Sequence, residues 1–192
     1  SGNAAVSKQI TGLTPNTTYH FRVVATSSSG TTNGADQTFT TGAITEPTTQ
    51  ANDLSVSDLS GNNATFGWTR GNGSSLVVFI KEGSSGTALP VDGTTYSSSL
   101  WFGDGDQIGT SGWYCIYNGT GRAQLITGMT PGTTYRVQAF EYNGSAGTEN
   151  YLTSTAANNP LNFTTADPEI NVTGNSQGIS SGDDSPRLED HT

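Results

Sequence analysis

A single cysteine, Cys115, is all the chain offers toward covalent cross-linking. No intramolecular disulfide can therefore hold it, and any core must come from apolar packing, as a sandwich of about 100 residues allows. Basic residues are also scarce: seven Lys and Arg stand against sixteen Asp and Glu, for a net charge of −9. No stretch clusters them. Phosphate backbones are bound by cationic surfaces that release counterions, so nucleic acid is not an expected partner, and neither is an anionic membrane surface. No apolar run reaches the roughly 18 residues of a bilayer-crossing helix, so no membrane insertion is expected in this segment. Ser1 does not open a secretory leader, and the start reads as internal to a longer protein.

Charged residues total 12% and hydrophobic ones 31%, both low for a cytosolic globular protein. Gly, Ser, Thr and Asn fill the gap. Disordered chains carry few aromatics. Here aromatics make up 9% and stand inside alternating segments. The composition points to short strands joined by many turns, beneath a polar surface.

Catalytic constellations are missing too. The two histidines, His20 and His191, lie far apart, with no metal-ligand spacing around either. No Gly-x-Ser-x-Gly elbow presents a nucleophile. Cys115, between Tyr114 and Ile116, reads as a buried inert thiol. The nearest approach to a carboxylate pair is Asp104 and Asp106, in the turn Phe102-Gly103-Asp104-Gly105-Asp106. Hard oxygens at alternate positions suit Ca2+, which makes these two the calcium candidates. The EF-hand spacing and its closing Glu are absent, and turn chemistry alone accounts for both residues. Asp183 and Asp184 form a weaker candidate of the same kind. No other cofactor is expected, and the chain reads as a non-enzyme.

What the chain does contain is a repeat. Residues 10–19 read ITGLTPNTTY and residues 126–135 read ITGMTPGTTY, identical at eight of ten positions. Period-two alternation follows each copy: Tyr19, Phe21, Val23 and Ala25 after the first, Tyr135, Val137 and Ala139 after the second. One face of each strand is thus expected to pack inward. A Phe-Thr-Thr tail closes each copy, at residues 39–41 and 163–165. Pro15 and Pro131 fix φ and stop the preceding strand. Leu13 or Met129 can plug the core just before the turn. Tyr19 or Tyr135 can bury its ring and return its hydroxyl to an upstream backbone group, the tyrosine corner of β-sandwiches.

With these residues the chain resembles fibronectin type III domains at their E–F corner and F strand. The resemblance implies an all-β fold of tandem antiparallel sandwiches of fibronectin type III or immunoglobulin-like kind. Leu54, Val56 and Leu59 suit a first strand, residues 64–69 a second with Trp68 as the core tryptophan, and residues 76–81 a third. Residues 49–166 then form one complete domain, enlarged by an insertion at about 83–123 in which added short strands are expected, notably at 112–117. The phrases PVDGTTY, FGDGDQIG, YNGTG, EYNG and NYL resemble a variant found in secreted proteins of Bacteroidetes-type bacteria, where an aliphatic residue commonly stands at the place of Cys115.

Residues 1–42 supply only the back half of such a domain, about three strands, and residues 43–48 read as a linker. The missing front half either lies outside this stretch or is replaced by another chain through strand addition. Residues 167–192 resemble the opening of a choice-of-anchor-D-like module, so first and last modules are incomplete. The implied setting is a large secreted or cell-surface protein. Its partners would be other domains of the same long chain, neighbouring copies in a fibre, or a surface polysaccharide. Two functions compete: a non-catalytic spacer segment of a surface protein, fibre or adhesin, and an accessory carbohydrate- or protein-binding module of a secreted enzyme. For the second, Trp101, Trp113 and Tyr142 are the candidate ligand-binding aromatics, with Trp101 the most exposed because it lies in a loop.

Overall fold

The structure, a computed structural model, describes residues 5–167. Within them the chain forms twelve strands and no helix. The expected module at residues 167–192 and the carboxylates Asp183 and Asp184 thus fall, apart from Asp167, outside the described residues.

β5 (Asn52–Ser57), β6 (Ala64–Thr69) and β9 (Ala123–Ile126) form an antiparallel sheet in the order β5-β6-β9. A second sheet faces it, built from β7 (Ser75–Glu82), β8 (Tyr114–Gly119), β10 (Thr134–Asn143), β11 (Asn150–Tyr151) and β12 (Leu161–Thr164). β10 is its spine. β7 pairs along one edge of it, and β12 and β11 share the other. The inner faces meet in one core: Leu54, Phe66 and Trp68 from the first sheet, and Leu76, Val78, Ile80, Ile116, Tyr135 and Val137 from the second. Phe66 meets Phe163 edge-on at 5.1 Å between ring centroids. The first of these strands ends at Ser57, so Leu59, expected on it, lies past its end and is exposed.

β7 and β10 do not alternate. Residues 76–80 are all buried, as are residues 137–142. Antiparallel sheets usually leave one face to water; a strand reads as a continuous apolar run when both faces are covered. Here the insertion supplies the second cover. Val77 and Phe79 from β7, and Phe140 and Tyr142 from β10, point away from the sandwich core into a separate cluster with Ala88, Tyr96, Ile108 and Trp113. Of the added strands, β8 starts at Tyr114 and β9 follows it. Residues 83–113 otherwise form turns and isolated bridges.

The first repeat copy folds into β1 (Thr18–Phe21), β2 (Val24–Ser27), β3 (Gly30–Asn33) and β4 (Gln37–Thr40), four short strands rather than three. β1 pairs with β4, and β2 with β3. The expected continuous strand through Val23 and Ala25 is split. Its counterpart β10 runs for ten residues with β7 alongside, whereas among the described residues β1 pairs only with β4.

Candidate functional site

The turn before β10 is closed by side chains. The Thr130 N–H donates to Tyr135 Oη at 2.9 Å, and Thr165 Oγ1 donates to the Thr130 carbonyl at 2.7 Å. Thr133 N–H donates to Thr165 Oγ1 at 3.0 Å. Tyr135 is fully buried, and Trp68 packs in the core with its Nε1–H on the Gly121 carbonyl at 3.0 Å. The first copy repeats the device. Thr14 N–H donates to Tyr19 Oη at 2.8 Å, and Thr41 Oγ1 donates to the Thr14 carbonyl at 2.6 Å. Pro15 and Pro131 occupy matching places in the two turns, each accepting through its carbonyl from the Thr hydroxyl two residues on.

The aromatic candidates part company. Trp113 is only 2% exposed and Tyr142 is buried beside it in the cluster under the insertion. Neither offers a face to a ligand, which corrects the expectation for both. The cause is the second cover over β7 and β10, whose inner surface needs large side chains. Trp101 is 59% exposed. Its segment is tied down by the Phe102 N–H on the Thr127 carbonyl at 2.9 Å. The indole lies on Gly128, where a methyl group would stand 2.6 Å from the ring. Part of the ring is therefore seated on backbone and the rest meets solvent.

Asp104 and Asp106 are both exposed. Asp106 Oδ2 accepts the Ser97 N–H at 2.7 Å, which brackets the turn. Among the described residues, no three His, Cys, Asp or Glu side chains converge as metal ligands would. Cys115 is buried, and desolvation pushes its thiol up to about 12. The nucleophilic thiolate is thus suppressed at neutral pH. His20 stands on the surface of β1, with Nδ1 2.6 Å from Asp36 Oδ2.

The strongest polar constellation escaped the sequence reading. Glu141, at the far end of β10, is fully buried. Arg70 grips it with both prongs, Nε to Oε1 at 2.6 Å and Nη2 to Oε2 at 2.8 Å. The Gly71 and Gly73 amides add 2.8 and 3.1 Å bonds. Hydrogen bonding to the carboxylate raises the Arg70 guanidinium above its ordinary value. Both glycines are required by close approach: a Cβ on Gly71 would meet the Thr49 carbonyl oxygen at 2.0 Å, and one on Gly73 would meet Glu141 Oε2 at 2.7 Å. With four donors on its two oxygens, this carboxylate has no acceptor site left for substrate.

The shared phrases hold one another. In PVDGTTY, Asp92 Oδ1 accepts the Tyr151 N–H at 2.8 Å, and the Thr94 carbonyl accepts the Tyr151 hydroxyl at 2.7 Å. Gly93 N–H donates to the Glu149 carbonyl at 2.8 Å. Burial, with Glu149 adding to it, drives the Tyr151 hydroxyl far above its usual value.

Three asparagines fasten the linker to this module. Asn143 Nδ2 donates to the Thr45 carbonyl at 2.9 Å, and Asn150 Nδ2 to the Ile44 carbonyl at 3.0 Å. Asn72 Oδ1 accepts from the Thr48 and Thr49 amides at 3.0 and 2.9 Å. Asn143 belongs to EYNG and Asn150 to NYL. Motif membership was the available signal, but spacing alone says nothing about a linker more than 90 positions away.

No known family's sequence profile matches the chain, and no curated protein matches it. Solved structures do. The fourth fibronectin type III domain of a human protein is 20% identical, covering 75% of this chain and 92% of that one at a TM-score of 0.41. The domain of human fibronectin type III domain containing protein 3 is 14% identical, covering 69% and 98% at 0.41. Domains of titin are 11% identical, covering 69% and 37% at 0.42. These are likenesses of distant sheet arrangement. The assignment to an antiparallel sandwich rests on the strand pairing given above.

Proposed function

We propose that the chain is a non-catalytic spacer segment of an extracellular multi-domain protein, in which sandwich modules are held in line by a fastened linker. The observation that carries this reading is the grip of Asn72, Asn143 and Asn150 on residues 44–49. A spacer transmits position only if its joints resist bending, and a linker bonded to the next module has lost the freedom of a Gly/Ser-type tether. The saturated Glu141 and the buried Cys115 fit the same reading, since neither is free to act on a substrate. Backbone order parameters from NMR relaxation test it. Amides of residues 43–48 are expected near 0.85 in the native chain, and below about 0.6 once Asn143→Ala and Asn150→Ala are combined. Values already below 0.6 in the native chain would contradict the proposal.

A second reading is favoured by Trp101, whose ring is seated on Gly128 and mostly exposed. Such a ring suits stacking on a pyranose, which would make the module a carbohydrate-binding accessory. Trp68 and Trp113 are buried, so emission that acrylamide quenches reports mainly Trp101. Titration with neutral oligosaccharides of glucan, xylan, mannan and chitin should then protect Trp101 saturably, and Trp101→Ala should abolish the change. No protection by any of them at 10 mM, roughly where binding energy falls below 3 kcal/mol, rejects this second reading.

A further inference from the structure

Four Asn-Gly pairs stand in the chain, at residues 33–34, 72–73, 118–119 and 143–144. Asparagine is a chemically labile residue, and most so before glycine, where no side chain hinders ring closure onto its own amide. The reaction needs the glycine nitrogen free to turn onto the asparagine Cγ. Three of the pairs are held against that. The Gly34 amide donates to the Val23 carbonyl at 2.7 Å, and the Gly73 amide to the buried Glu141 Oε2 at 3.1 Å. Gly119 is a strand residue of β8 opposite Leu76 on β7. Asn118 before it is itself clamped, accepting from the Tyr142 hydroxyl and donating to the Tyr96 carbonyl at 2.8 Å.

The fourth pair differs. Asn143 closes β10, and Gly144 lies beyond the strand. Among the described residues, the Gly144 N–H meets no acceptor. The position cannot take a protecting side chain: its φ is +98°, and a Cβ would stand 2.2 Å from the Thr148 carbonyl oxygen and 3.0 Å from Ile44 Cδ1. The fold thus demands the one residue that leaves Asn143 open to attack. The Ser74 N–H donates to Asn143 Oδ1 at 2.9 Å. That bond polarises the amide and stabilises the negative charge its oxygen gains on addition.

We infer that Asn143 with Gly144 is a self-modification site, at which the folded chain converts asparagine to aspartate or isoaspartate and thereby releases its linker. Hydroxide takes the Gly144 amide proton, and the nitrogen bonds to Asn143 Cγ. The Cγ–Nδ2 bond breaks, and Nδ2 leaves as ammonia after taking a proton from water. Water then opens the succinimide at either carbonyl. The release rests on the spacer reading; the covalent step does not. Asn143 Nδ2 is the donor that holds the Thr45 carbonyl. A carboxylate only accepts, so either product sets two acceptors against each other. Isoaspartate also carries the backbone through an extra methylene, which disturbs the pairing of Asn143 with Asn150 and so the Asn150 bond to Ile44. Conversion at Asn72 would leave the linker held, because Asn72 Oδ1 accepts from the Thr48 and Thr49 amides and a carboxylate accepts as well.

The test incubates the native chain at mildly alkaline pH and follows all four pairs by peptide mapping, with electron-transfer fragmentation to separate aspartate from isoaspartate. In the folded chain Asn143 is expected to convert fastest, by roughly tenfold or more over Asn72 and Asn118, whose glycines are freed only by opening of the structure. In concentrated urea the four rates should converge. Conversion of Asn143 no faster than the others in the folded chain overturns the site. So does a preference that persists in urea, which would place its cause in local sequence rather than in the fold. Asn143→Asp reads the release separately: order parameters of residues 44–46 are expected to fall below about 0.6, with Asn72→Asp leaving them at the native value. A linker ordered in the native chain and equally ordered in Asn143→Asp overturns the release, whereas one already loose in the native chain counts against the spacer reading and leaves the conversion rates to decide the site.

Discussion

Replacing Arg70 by alanine is expected to destabilise the two-sheet fold around β10 by about 3–5 kcal/mol, the range for breaking one partner of a buried ion pair. The Arg70 side chain is only 10% exposed and that of Glu141 is fully buried. Removing the guanidinium leaves Glu141 with the Gly71 and Gly73 amides alone. Those amides satisfy two acceptor sites but supply no full positive charge. The carboxylate is then left buried without a counter-charge, which is costly. Lysine in place of arginine should recover only part of the loss, because an ammonium cannot reproduce the two-pronged fit. Urea unfolding at pH 7 measures the effect as a shift in midpoint at constant slope. A companion substitution tells pairing from packing. Arg70→Met with Glu141→Leu removes both charges, and such replacements are often neutral or stabilising. A loss for Arg70→Ala under 1 kcal/mol would mean that water reaches Glu141, and that the end of β10 is open.

Trp113→Ala should cost about as much, 3–5 kcal/mol for a fully buried aromatic. Its ring fills the cluster between the insertion and the outer face of β7 and β10, next to Phe79, Tyr96 and Phe140. The neighbours are tied in place by other bonds. Tyr96 Oη accepts the Val91 N–H at 3.1 Å, and Asn118 donates to the Tyr96 carbonyl at 2.8 Å. The site therefore cannot collapse freely into the cavity, which puts the expected loss toward the upper part of the range. Trp101→Ala serves as the contrast. Its ring is mostly in water, so its removal should change stability by no more than about 0.5 kcal/mol. Equal losses in the two variants would contradict the division of tryptophans into one solvent-facing and one load-carrying ring.

Fold class was readable from local chemistry because the repeat carries its own geometry. Pro131, Thr133, Tyr135 and Thr165 make a turn whose bonds span few residues or two adjacent strands, and the residue types needed for it recur at residues 15–41. Trp68 was readable because β6 alternates. Trp113 and Tyr142 were misplaced for the opposite reason. Their burial depends on an insertion that folds back over a sheet already covered on one side, and no local period announces a second cover. The run LVVFI at residues 76–80 did carry that information, since a half-exposed strand would alternate. Arg70 with Glu141, and Asn143 and Asn150 with their partners at residues 44–45, were hidden by separation. Partners roughly 70 to 100 positions apart in sequence meet only after β7 and β10 pair. Long-range polar closure of this kind leaves no spacing signature.

Hydrogen exchange over the whole chain reaches furthest into this account, whose centre is a β7–β10 pair sealed on both faces. The slowest amides should fall in residues 75–82 and 134–143, exchanging only by global unfolding, while residues 18–21 exchange by local opening. Exchange of residues 75–82 as fast as that of the turns at 83–113 would contradict it, because the inserted region would then not cover the sheet.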